Sequence, residues 1–285
     1  MQEQVSISKV AVDPPGSSST EWPRVKGRQP PTNLLNYNMP RTVEVATTYN
    51  KKYYDLCGRR MIETFLQYWP QDVNLHVYWQ EQVPEIFSPN IVYHELYKAQ
   101  PQLKEWIDKH TDKKYHGWRE DRGKYVWKND GVKFSHKVFA QTHRIKNSNA
   151  NVLLYSDADT LYHANPNLDY LREICPEDSL CTFFDRPKFR DETGFYMHNP
   201  QHPQAKDWAN RLEEIYLSGE VWTYEENKQA DQYTMAYGRD SFKECKQMDL
   251  MQYHNGVDAK DPVPTSPLSE FLNHLKGNKK GDIFA

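Results

Sequence analysis

Asp157 and Asp159 are the residues of this chain whose type and spacing most directly suggest chemistry. They close the stretch NVLLYSDADT, from Asn151 to Thr160, directly after the apolar run Val152 to Tyr155. A short apolar run that ends in polar residues predicts a buried strand. Residues i and i+2 of an extended chain point to one side, so both carboxylates are expected to face one cleft. Ligands of open α/β sheets gather at the carboxyl ends of strands. Paired hard oxygens at such a place suit Mg²⁺ or Mn²⁺, which can in turn hold a diphosphate. The spacing alone decides little. With 39 acidic residues in 285, roughly five acid-x-acid pairs arise by chance, and a polar turn with an Asp cap looks the same.

The elements around this stretch predict what positions it. TVEVATTY (Thr42 to Tyr49) is β-branched and mostly apolar, a good first strand. Lys51 to Trp69 reads as a helix, with Met61, Ile62 and Phe65 along one side and Pro70 ending it. Val73 to Trp79 and Asn90 to Leu96 read as strands, and Val132 to Ile145 as the helix leading into the Asp157/Asp159 strand. Ser179 to Phe184 and Thr193 to Asn199 read as further strands, and Pro203 to Leu217 as an amphipathic helix. A last helix is expected from Pro267 to His274, with Ser266 as N-cap and Gly277 beyond its end. Residues 97 to 131 give no clear assignment. The strand-helix-strand rhythm predicts an α/β fold with a mostly parallel sheet. Residues 1–40, which hold DPPGSSST and GRQPPT, read as a flexible arm before a single domain over 41–285.

Composition narrows the partners. The 36 basic and 39 acidic residues give a net charge of −3, so no nucleic acid is expected as partner. Four cysteines without a CxxC pair predict free thiols in a reducing compartment. No apolar run reaches membrane-span length and MQEQVSISKV lacks a signal-like core. The expectation is a soluble, cytoplasmic protein with no transmembrane segment. The 19 tyrosines and 8 tryptophans suit either a cleft that stacks bases and sugars or an aromatic-rich core.

Four features follow in a telling order: Asp157-Ala158-Asp159, the Gly-plus-apolar stretch Gly194 to Asn199, the pair Asp231-Gln232, and HLKGNKK from His274 to Lys280. This series resembles the GT-A nucleotide-sugar glycosyltransferases, especially the retaining, glycogenin-type family 8. The resemblance implies a GT-A fold, in which Asp157, Asp159 and His274 bind Mn²⁺ (or Mg²⁺), and Gly277 and Lys280 grip the donor's diphosphate. It places Lys137 as a cation near the donor, Thr47 and Tyr49 near the nucleotide base, and Asp231 and Gln232 beside the donor sugar. The Pro-Trp that usually follows the family's lysine is absent, since Gly281-Asp282 follows Lys280.

The implied reaction moves a hexose from a nucleotide sugar, foremost a UDP-sugar, to a hydroxyl of a glycan, lipid or protein, with retention favoured. Negative charge develops on the leaving phosphate, where a divalent ion and a lysine stabilise it. If the enzyme inverts, Glu192 or Asp191 is the expected general base. His254, in QYHNG, competes with His274 as third metal ligand. Two other functions fit less well. A nucleotidyltransferase of related fold would show a Gly-rich phosphate loop, which TTYNKKYYD lacks. A non-catalytic carbohydrate- or partner-binding protein would have no need of the two acids.

Overall fold

The computed structural model describes residues 41–81, 85–186, 188–225, 228–252 and 260–276. The expected arm over 1–40 lies outside the described residues, as do Gly277, Lys280 and His254.

Seven strands form one sheet in the order Met248–Asp249, Cys181–Phe183, Phe195–His198, Val152–Ser156, Val43–Tyr49, Asn74–Trp79, Ile91–Glu95. All run parallel except Phe195–His198, which is antiparallel to both its neighbours. The mixed, mostly parallel α/β sheet expected of the sequence is therefore the architecture found. Its central strands are covered on both faces. Val43, Val45, Val152 and Leu154 pack with Met61, Ile62 and Phe65 on one side. Leu153 and Tyr155 pack with Phe139, Trp208 and Leu212 on the other. Burial on both faces is why Val152–Ser156 is buried at every position and reads as an unbroken apolar run.

The helices carry the site. Gly131–Asn147 is capped by Asp130, whose side chain accepts a hydrogen bond from the Lys133 backbone N–H (2.9 Å). At its first residue the Trp222 ring lies 2.6 Å from where a Cβ would stand, so only glycine fits. Among the helices not evident in the sequence are Pro101–Lys109, with proline in its first turn, Leu168–Ile174, and Asp231–Asp240, which begins at the Asp231-Gln232 pair. The expected helix over 51–69 forms as Lys51–Tyr53 and Arg59–Tyr68 around a π-helical turn, Tyr54–Gly58.

Two local expectations are corrected. Pro267 to His274 is not one helix: a 3₁₀ turn, Pro267–Glu270, gives way to a strand, Leu272–His274, paired with Thr160–Tyr162. Phe271 and Leu272 are both buried, and docking them against the core outweighs the helical spacing of the apolar residues. Nor are Asp157 and Asp159 in extended chain. The Thr160 N–H donates to the Asp157 carbonyl (3.0 Å), closing a tight turn between two strands. Among the described residues no helix is long and apolar enough to cross a membrane.

Candidate functional site

The turn that carries Asp157 and Asp159 sits at the carboxyl end of Val152–Ser156 and is stitched in place from two sides. The Asp157 N–H donates to the Gly194 carbonyl (3.1 Å), and the Leu275 N–H donates to the Asp159 carbonyl (2.9 Å). The second contact extends the pairing of Leu272–His274, whose register sets His274 opposite Thr160. As a result His274 Nε2 lies 3.2 Å from Asp159 Oδ1 and 3.7 Å from Asp157 Oδ2. The ligand atoms of all three residues fall within 4.8 Å of one another. The two carboxylates are the hard oxygen donors that Mn²⁺ and Mg²⁺ take, and the imidazole beside them favours the transition ion Mn²⁺ over Mg²⁺. The set fits the cation that the resemblance implies.

Lys137, on the second turn of Gly131–Asn147, bridges Asp157 (2.6 Å) and Asp231 (2.8 Å). Burial works against its charge, yet the two acids hold the ammonium above the ordinary lysine value. Burial lifts the Asp157 carboxyl; Lys137 and His274 pull it back, while Asp159 and Asp231 push it further up. For His274, burial disfavours charge, but the hydrogen bond to Asp159 and the carboxylates of Asp159, Glu192 and Asp157 outweigh it and raise the imidazole. Carboxylates crowded in this way repel one another, and an opposite charge placed among them relieves that repulsion.

The other predicted residues divide. Gln232 is buried, its Oε1 accepting a long hydrogen bond from Arg186 (3.4 Å). Asp191 is fully buried, bound to Arg239 (3.1 Å) and to the Tyr196 hydroxyl (3.1 Å). Burial pushes its carboxyl up to about 6, against the pull of Arg239. Glu192 is 3% exposed and held by Arg186 (2.8 Å) and Lys276 (2.6 Å). Burial would raise it, but His274, Arg186 and Lys276 hold it down at about 2. Thr47 is fully buried and Tyr49 packs its ring against Tyr54. Tyr49 borders the cleft as wall rather than as a free stacking face.

That cleft has a volume of about 790 Å³, within the range of small-molecule sites. It runs from Asp157 and Asp159 past Lys137 and Tyr155 to Asn50, Tyr53 and Lys133, and on to His116 and Tyr125. A second acidic group, Glu192, Asp261 and His274, also lies within 4.8 Å. There, however, the Lys276 ammonium already bridges Glu192 and Asp261 (2.6 and 2.9 Å). The sequence did not single out Arg186, Arg239 or Lys276. Arg186 and Lys276 left as trace only the dense charge of DRPKFRDE and of HLKGNKK, where spacing cannot say which charges meet, and Arg239 lies in neither stretch.

No family model matches this chain, and no curated protein matches it in sequence. Solved structures do resemble it. One is mouse xyloside xylosyltransferase 1 in its apo form, at 11% identity and a TM-score of 0.48, over 85% of this chain and 99% of that one. Another is the apo WbbM bifunctional glycosyltransferase, at 12% identity and a TM-score of 0.46, over 83% of this chain. Both neighbours are glycosyltransferases. The chain spans 44% of the length of the second.

Proposed function

We propose that this protein is a divalent-cation-dependent glycosyltransferase, moving a hexosyl group from a nucleoside-diphosphate sugar, a UDP-sugar foremost, to a hydroxyl acceptor. The observation that carries the reading is the meeting of Asp157, Asp159 and His274, from distant stretches of chain, at the strand end that opens into the cleft. Asp157, Asp159 and His274 would hold Mn²⁺ or Mg²⁺, which when bound neutralises charge on the diphosphate. Lys137 keeps a full positive charge against the donor's sugar end, oriented by Asp231. Gly277 and Lys280 are the proposed partners of the phosphates, on the family resemblance alone.

In the transfer the bond from the anomeric carbon to the β-phosphate oxygen breaks, and a bond from that carbon to the acceptor oxygen forms. The acceptor's proton must go elsewhere. Asp191 and Glu192, the base candidates for inversion, are each buried against cations. That supports retention, with the proton passing to the departing diphosphate.

The test is thermal unfolding with UDP or GDP, each with Mn²⁺ or with EDTA, on wild type and Asp159→Ala. Ligand at a hundredfold its dissociation constant adds about 2.7 kcal/mol, several degrees of melting temperature. The expected result is a shift with UDP that requires Mn²⁺ and vanishes in Asp159→Ala. No shift at millimolar nucleotide would overturn the proposal.

A further inference from the structure

We infer that Glu192 is a positioning residue for His274, and that Gly194 provides the gap in which the imidazole lies. The inference rests on the metal reading above. It gives Glu192 a role other than proton acceptor.

The two sides of the His274 ring face different partners. Nε2 faces Asp159 and Asp157, while Nδ1 lies 3.7 Å from Glu192 Oε1. Nδ1 is buried and has no hydrogen-bond partner among the described residues. A histidine that binds metal through one nitrogen commonly has the other directed at a carboxylate, which fixes its tautomer and orientation. Glu192 is placed to do this because it cannot wander. Its Oε1 accepts from the Gly194 N–H (3.0 Å), and its Oε2 is held by Arg186 and Lys276. The ring rests directly against Gly194. A Cβ there would stand 2.0 Å from His274 Cε1 and 2.5 Å from Nδ1, closer than any real contact, so a side chain at 194 would displace the ring. Gly194 has no positive φ; glycine is required here by space, not by backbone conformation. Glu192 and Gly194 thus form two walls of a slot, with the acid pair at its open end.

The experiment is an electron paramagnetic resonance titration of Mn²⁺ into the full chain without nucleotide, with thermal melts as a folding control. Wild type is expected to bind Mn²⁺ with a nitrogen coupling from one imidazole. Glu192→Asp keeps the charge but withdraws the carboxylate by one methylene. It is expected to weaken Mn²⁺ binding by about 10–100-fold and to diminish the nitrogen coupling. Gly194→Ala is expected to remove the coupling altogether. Glu192→Gln, which keeps the side chain's shape, is the second variant should Glu192→Asp fail to fold, and the same loss of coupling is expected. A purely structural role would lower the melting temperature and leave the coupling of bound Mn²⁺ intact. That outcome, with affinity within about twofold of wild type, would overturn the inference alone. If wild type binds no Mn²⁺, the metal reading fails and the inference falls with it.

Discussion

The parallel strands carry clustered charge at both ends, and the two clusters are built differently. Near the amino ends, Glu44 accepts two hydrogen bonds from Arg144 (2.9 and 3.2 Å) and one from the Ser148 hydroxyl (2.8 Å). Burial would raise its carboxyl, but His76, Ser148 and Arg144 bring it to about 2. At the carboxyl ends, Asp157, Asp159 and Asp231 converge on Lys137 and His274, and the Asp157 carboxyl is raised. The first cluster is balanced: one acid faces a guanidinium, an imidazole and a hydroxyl. The second holds more acid than the cations around it offset. A balanced cluster serves the fold, whereas an acid surplus at a cleft is suited to receive a cation.

Breaking the balanced end has the largest expected effect. Arg144→Met leaves Glu44 half-buried without its main cation and should remove about 3–5 kcal/mol of stability, read by chemical denaturation. Mn²⁺ affinity of the folded variant should stay at the wild-type value. A variant as stable as wild type would show that the amino-end cluster does not support the fold.

At the surplus end, Lys137→Met should lower sugar transfer by about 10²–10³-fold, the usual loss when one charge-stabilising donor is removed. It should also enlarge the rise in melting temperature on adding Mn²⁺, because Asp157 and Asp231 then lack their shared ammonium. An equal Mn²⁺ shift in variant and wild type would contradict the surplus.

A smaller effect sharpens the comparison through pH. His94 stacks on Tyr78 (4.6 Å between rings) and meets His76 (3.0 Å) beside the amino-end cluster. Burial, then the neighbouring His76 and His143, lower it from 6.5 to about 4. A histidine depressed in the folded state contributes stability above pH 6.5 and loses it as pH falls towards 4. Between pH 7 and 5 that loss is at most about 2 kcal/mol, reduced by solvent screening at this partly exposed ring. His94→Phe, which keeps the stacking, should flatten the pH dependence of the melting temperature by that amount. Parallel curves for variant and wild type would rule it out.

Much of this was legible in the sequence because it is local. Val152 to Tyr155 is apolar since both faces of its strand are covered, and a short run of letters records that. The alternation in Val73 to Trp79 and the spacing in Pro203 to Leu217 likewise announce their elements. Asp157, Asp159, Lys137 and His274 were all singled out, and the structure brings them together. What the sequence hid are pairings between distant stretches. Arg186 meets Glu192 and Gln232, and Arg239 meets Asp191, because the paired strands Asp185–Arg186 and Arg190–Asp191 lie beside the Asp231–Asp240 helix; no periodicity encodes such contacts. The expected helix ending at His274 failed for the same reason. Leu268, Phe271 and Leu272 fit a helical stripe, but the partner strand Thr160–Tyr162 claims the last of them.

That strand pairing also sets an order of events in time. On a ribosome adding roughly 5–20 residues per second, the turn with Asp157 and Asp159 emerges about ten seconds before His274. The seven-stranded sheet needs nothing beyond Asp249, while the imidazole arrives only when Phe271 and Leu272 dock behind the turn. A nascent chain can therefore complete its sheet before His274 joins Asp157 and Asp159 beside the cleft.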